Sequence, residues 1–295
     1  MKPTLFILLS VLAACCCDRS THPVSFNTTQ PVYLSTTQPI YLSTTQSLNI
    51  SVSNTIQTIS YDSVPDLIYN FLSQKDLKPY GTKLAIGGFI DSSVISKFMA
   101  SNPSAAGKYT VLDFFLCHRW DGPDTSKGKF YLALKEEKDY VPGTSVPTGP
   151  ADADSLYVTT DMIPYTESVI SVSQIKTFLE RTVTITNDRA PKVVGKTVKT
   201  DAYDFLKSYT VSGISANYDM ASVMVKDTIL KLLNQRDPDN IGLKLSRMRY
   251  FLGYSSSYGH NKIRLILIAV NKQGKNQVAN KAVLLEHAWP PDASY

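Results

Sequence analysis

Lys129-Phe130-Tyr131-Leu132-Ala133-Leu134 and Lys262-Ile263-Arg264-Leu265-Ile266-Leu267 stand 133 residues apart and carry one pattern. In each, a cation opens the segment and apolar side chains follow at every second position. Phe130, Leu132 and Leu134 share one side, as do Ile263, Leu265 and Leu267, while Lys129 and Lys262 take the other. Period two is the signature of a strand with one apolar face. Working outward, the likeness extends in order along the chain. Phe114-Phe115-Leu116-Cys117 falls on Tyr250-Phe251-Leu252-Gly253, 136 residues on. Ser93-Val94-Ile95-Ser96-Lys97-Phe98-Met99 falls on Asp227-Thr228-Ile229-Leu230-Lys231-Leu232-Leu233, and Tyr69-Asn70-Phe71-Leu72 on Tyr203-Asp204-Phe205-Leu206, both 134 on. Pro103 lies near Pro238 in this alignment, and Gly107 near Gly242. The spacing drifts only across loops, as insertions in a duplicated domain would leave it.

The expectation is therefore an α+β fold: a tandem duplication of a helix-helix-three-strand antiparallel unit. The first copy occupies 58–164, the second 198–295, and a connecting segment 165–197 contains a helix over Ser173 to Arg181. In each copy a first helix begins near Ser63 or Thr200, both good N-cap residues. Its apolar pairs are Leu67, Ile68, Phe71 and Leu72. A second helix begins near Asp91, with Val94, Ile95, Phe98 and Met99 on one face. Strands follow near 108–118, 128–136 and 154–161, and again near 243–253, 262–270 and 281–287. Short polar loops imply antiparallel pairing, with helices over one face. This order of elements resembles cystatin-like and nuclear-transport-factor-like folds, a likeness that carries no functional residue.

The N-terminus has a different logic. Lys2 precedes an apolar run from Leu5 to Ala14, about the length of a secretory signal and too short to span a bilayer. The run closes as Leu12-Ala13-Ala14-Cys15, which resembles the lipobox of bacterial lipoproteins. The resemblance implies a signal peptide over 1–14, a lipid anchor (diacylglycerol with an added fatty acid such as palmitate) on Cys15, and a membrane partner through that lipid. Cys16 takes the next position, where an Asp would mark inner-membrane retention, so the expected address is the outer membrane or cell surface. An ordinary secretory signal is the rival reading, with Asn27-Thr28-Thr29 and Asn49-Ile50-Ser51 as glycosylation sequons. From 15 to 57 the chain repeats with period eight: Thr28-Thr29-Gln30-Pro31-Val32-Tyr33-Leu34-Ser35, then Thr36-Thr37-Gln38-Pro39-Ile40-Tyr41-Leu42-Ser43. Pro and Thr-Thr-Gln in each copy favour an extended tether, averaging roughly 35 Å end to end as a coil.

Composition bounds the chemistry. A net charge of +5 over 295 residues is mild, and a cell-envelope address argues against nucleic acid as a partner. Three of the four cysteines are Cys15, Cys16 and Cys17, so the folded part has no disulfide framework; Cys117, in an apolar run, reads as a small buried hydrophobe. His22, His118, His260 and His287 lie in separate elements and build no metal motif, and no cofactor or metal is expected. Ser173-Gln174-Ile175-Lys176 has serine–lysine spacing without its companion motifs. Asp121-Gly122-Pro123-Asp124 after His118-Arg119-Trp120 reads as a hairpin turn, or as a carboxylate beside a stacking aromatic that suits a sugar. Arg236-Asp237-Pro238-Asp239-Asn240 lacks the residues of a calcium loop.

One feature separates the copies. From Asn240 to Leu285 there is no acid but eight cations, whereas the first copy mixes Lys with Asp113, Asp121, Asp124, Glu136, Glu137, Asp139, Asp152 and Asp154. Lys262, Arg264, Arg249 and Arg247 are the expected anion-binding residues, for an acidic glycan, a lipid headgroup or a protein partner. Alternatively, the basic copy docks on the acidic one. The functional expectation is an envelope lipoprotein presenting a binding or assembly domain. The alternatives are a hydrolase of glycan or another extracellular polymer, and a structural subunit of a surface complex.

Overall fold

The alternating segments are strands, and each set of three pairs antiparallel. The computed structural model describes residues 57–81, 85–102, 104–119, 128–141, 149–185, 191–209, 221–235, 245, 247–255, 262–278 and 284–289. The first run of elements is β1 (Gln57–Ile59), α1 (Val64–Ser73), β2 (Gly87–Ile90), α2 (Ser92–Ala100), β3 (Tyr109–Arg119), β4 (Lys129–Tyr140) and β5 (Ser155–Val158). Two elements connect: β6 (Thr160–Ile163) and α3 (Val172–Glu180). The second run is β7 (Lys192–Val194), α4 (Gly195–Tyr209), β8 (Ala221–Val225), α5 (Lys226–Leu233), β9 (Arg247–Ser255), β10 (Lys262–Val270) and β11 (Leu284–Trp289). The order β-α-β-α-β-β-β thus occurs twice, in a mixed α+β architecture with antiparallel sheets.

The two runs are interleaved. One sheet has the order β1-β11-β10-β9-β2-β6, the other β7-β5-β4-β3-β8. Each three-strand meander is flanked on both sides by short strands of the other run: β1 and β2 around the later meander, β7 and β8 around the earlier one. The helices cross over as well. Leu67 on α1 meets the face of β9 that carries Gly253, where a Cβ would stand 2.8 Å from the Leu67 Cβ. Val198 and Ala202 on α4 pack with Phe115, Cys117 and Ala133 of β3 and β4. Across the sheets, Tyr250 donates its hydroxyl proton to the Phe130 carbonyl at 3.4 Å.

The ladder registers match the spacing read from the sequence. Phe114 faces Leu134, and Tyr250 faces Leu267. Asp113 faces Val223 on its other side, and Arg249 faces Phe89. Local chemistry sets most boundaries. Asp91 caps α2, its Oδ1 accepting from the Ser93 amide at 2.7 Å. Ser171 caps α3, two residues before the expected Ser173. α4 begins at Gly195 rather than near Thr200, because its first amides are satisfied from another loop. The Gly195 and Lys196 amides donate to the Asp154 and Asp152 carbonyls at 2.7 and 3.1 Å. A Cβ at Gly195 would lie 1.9 Å from the Ala151 carbonyl oxygen, so only glycine fits this approach. The strand expected over 154–161 breaks at Thr159, and its second part leaves as β6 to pair with β2. The face of β10 opposite Ile263, Leu265 and Leu267 is buried as well, since all of residues 263–270 are buried.

Candidate functional site: a cleft beside Tyr157

The residues expected to bind anions do not form one exposed patch. Arg249 is fully buried and Arg264 is 5 % exposed. Arg264 lies opposite Gly253 on the face that α1 covers. The Arg249 guanidinium donates to Asn276 Oδ1 at 2.6 Å and to the Gly274 carbonyl at 3.0 Å, and its carbon lies 4.0 Å from the Phe89 ring centroid. Burial lowers its pKa to about 9, with Asp161 acting in the opposite direction. Arg247 donates to the Lys272 carbonyl at 3.3 Å at the surface. The Lys262 backbone opens β10, but its side chain lies outside the described residues, as do Cys15, the tether to residue 56, Asp121 and Asp124. Period two puts Arg264 opposite the apolar face of β10, and an exposed basic face was the expectation for it. A helix from a distant part of the chain covers that face.

Other singled-out residues are committed to packing. His118 is 3 % exposed, its Nε2 is 2.9 Å from the Tyr80 carbonyl oxygen, and its ring packs with Tyr80, Phe130 and Phe205. Burial lowers its pKa, so the neutral ring is favoured. Cys117 is fully buried, and burial pushes its thiol pKa well above the ordinary value. Tyr131 donates to Asp201, which also accepts from Arg119 Nε at 3.3 Å, pinning α4 to the sheet. The Ser173 hydroxyl is 3.2 Å from that of Ser171, and Lys176 is exposed. Among the described residues, no group of three or more His, Cys, Asp or Glu side chains could hold a metal ion. Among the same residues, no helix is long and apolar enough to cross a membrane.

A buried acid sits where the other meander has its buried base. Asp113 on β3 is fully buried, and neither carboxylate oxygen meets a donor from the described residues. It lies near Glu137 and opposite Lys135. Burial first, then the Glu137 charge, push its pKa up to about 8, while Lys135 pulls the other way. Near neutrality Asp113 is therefore mainly a neutral acid, able to donate to Glu137.

A cleft of about 250 Å³ opens between α2 and the strands β4 and β5. It forms where β5 leaves β4 after only two paired positions, Ala133 with Val158 and Leu134 with Tyr157. Val94 and Phe98 from α2, with Leu112 and Leu134 from the sheet, make an apolar floor. Lys97, Lys135, Glu136, Asp154, Ser155 and Tyr157 supply polar chemistry at its walls. The Lys97 Nζ is 5.6 Å from the Tyr157 ring centroid, and the Nζ of Lys192, opposite Tyr157 on β7, is 4.8 Å away. Lys135 reaches the Gly149 carbonyl at 3.3 Å and Asp154 at 3.8 Å. Thus an apolar base meets an aromatic ring, ammonium groups and carboxylates.

The same ladder positions in the second meander are closed. Leu112 with Glu136 corresponds to Met248 with Ala269, and Leu134 with Tyr157 to Leu267 with Leu285. All four residues of the second meander are at most 1 % exposed. The neighbour of Leu285 on β1 is Thr58, where Tyr157 has Lys192. Sequence reasoning missed the cleft because Glu136 and Tyr157 lie in different strands. The signal available was a position-by-position comparison of the two meanders, which isolates them as polar replacements for core residues. Compared with known proteins, the chain matches no family model, no curated protein and no solved structure.

Proposed function

We propose that this chain is an envelope lipoprotein, acylated at Cys15 and held by the tether over 15–57, whose folded part is a binding domain. In this reading the domain arose by tandem duplication, and the copies exchange their N-terminal strands and first helices. Support comes from the repeated element order and from ladder registers that reproduce the sequence spacing. The binding site is the cleft beside Tyr157. The observation that carries this assignment is the contrast at equivalent positions: Ala269 and Leu285 close one meander, whereas Glu136 and Tyr157 leave the other open and polar. A concave site with an apolar floor and a few placed polar groups is the usual form of a ligand site.

Two experiments test the reading. Metabolic labelling with a fatty-acid probe should mark the intact chain, and Cys15→Ala should lose both label and membrane retention. A Cys15→Ala chain that still labels and stays membrane-bound would sink the anchor. For the site, saturation-transfer NMR against a panel of envelope saccharides should show at least one ligand for the native cleft. That signal should vanish when Glu136→Ala and Tyr157→Leu import the closed meander's residues. A panel that treats the native and double-variant chains alike would remove the cleft from consideration.

A further inference from the structure

The identity of the ligand can be narrowed by the cleft's size, floor and charge, given the reading of the cleft as the binding site. A volume of about 250 Å³ falls below the roughly 300–1,000 Å³ of sites for drug-sized ligands, so it suits one ring rather than a run of polymer. The floor of Val94, Phe98, Leu112 and Leu134 suits an apolar C–H face. Glu136 adds acceptors for hydroxyl groups, which ionised carboxylates supply in pairs.

The lining carries Lys97 and Lys135 with Glu136 and Asp154, and Lys192 reaches the Tyr157 ring from β7 outside that lining. Lys97 and Lys192 approach the same Tyr157 ring from α2 and β7, and neither makes an ion pair among the described residues. By contrast, Lys135 lies 3.8 Å from Asp154, and Lys199 lies 2.9 Å from Asp152. An exposed ammonium over an aromatic ring gains only about 0.5–1 kcal/mol. Such an ammonium is readily drawn to a full negative charge. We infer that the cleft binds a single acidic sugar residue: a ring bearing a carboxylate or sulfate, its C–H face on the apolar floor and its anion at Lys97 and Lys192.

The test is a calorimetric titration of the intact chain in about 50 mM salt with trigalacturonate, galactose 6-sulfate and neutral galactotriose. Trigalacturonate or galactose 6-sulfate should bind at least tenfold tighter than galactotriose, and the preferred one identifies the source of the anion. Combining Lys97→Met with Lys192→Met should remove that advantage, bringing the affinities for the acidic and neutral probes to within about twofold. A circular-dichroism melt should show the variant folded, since both lysines are exposed. Raising salt should weaken acidic binding, because exposed charges are screened within about 10 Å at 0.1 M. Galactotriose binding as tightly as the acidic probes would overturn the inference and leave the cleft as a neutral-sugar site. Acidic binding that survives the double lysine variant would overturn it too. Phosphatidylglycerol vesicles that bind the native chain but not the double lysine variant, with no sugar binding, would overturn it by assigning the lysines to a lipid surface. Sugar binding unaffected by Tyr157→Leu with Glu136→Ala would defeat the cleft reading itself.

Discussion

The centres of the two meanders occupy the same ladder positions with inverted chemistry. In one, Val223, Asp113 and Lys135 stand side by side on β8, β3 and β4; in the other, Phe89, Arg249 and Ile268 stand on β2, β9 and β10. Arg249 is held by Asn276, the Gly274 carbonyl and the Phe89 ring, with its Nε left without a partner among the described residues. Asp113 lacks such donors among the described residues and responds by taking up a proton. The comparison shows how one backbone frame handles a buried ionisable group in two ways: solvate it with protein groups, or neutralise it. The second meander is closed around its charge, while the first opens a polar cleft nearby.

Moving a charge into the closed meander should have the largest effect. Ile268→Lys places an ammonium at a fully buried position and should cost roughly 4 kcal/mol or more, read from the denaturation midpoint. A cost below about 1 kcal/mol would show that this meander is not closed. Arg249→Ala comes next. It leaves Asn276 Oδ1 and the Gly274 carbonyl without this donor and should cost about 1–3 kcal/mol by urea unfolding.

Asp113→Asn sharpens the comparison through pH. The native carboxyl titrates near pH 8, whereas an unfolded Asp titrates near 3.9. Between these values the folded chain holds the extra proton, so native stability should fall as pH rises from about 4 to 8 and level off above. The Asn variant lacks this dependence. Relative to the native chain it should gain on the order of a few kcal/mol by pH 9, with little of that gain at pH 4. Parallel melting temperatures across that range would refute the buried-acid account. Lys135→Ile, which imports the residue of the closed meander, should have the smallest effect. Its contact with Asp154 is long and partly exposed, so the change should stay within about 0.5 kcal/mol.

Much of the fold was legible in residues 108–140 and 247–270, because half-buried strands write their faces into the sequence every second residue. Asp91 was legible as the start of α2 for a similar local reason, whereas the Ser171 cap of α3 lies two residues before the expected Ser173. β2 and β8 were not, since Gly87–Ile90 and Ala221–Val225 are short and mostly buried and show no alternation. Thr200 misled because a distant loop supplies the helix start five residues earlier. The site was the least legible part. Arg249 and Arg264 had the composition of a basic surface, yet they lie inside the fold. Glu136, Tyr157, Lys97 and Lys192, spread over three strands and a helix, converge only in three dimensions.

By itself, the sequence determined the α+β class, the three-strand meanders and the spacing that relates them. These follow from backbone periodicity and local hydrogen bonding, which act over a few residues. Only the tertiary structure decided that each meander takes its flanking strands and covering helix from the other run of elements, that the arginines are buried, and that one of two equivalent edges opens into a cleft. Burial depends on which surfaces meet, and those surfaces belong to residues more than a hundred positions apart in the chain.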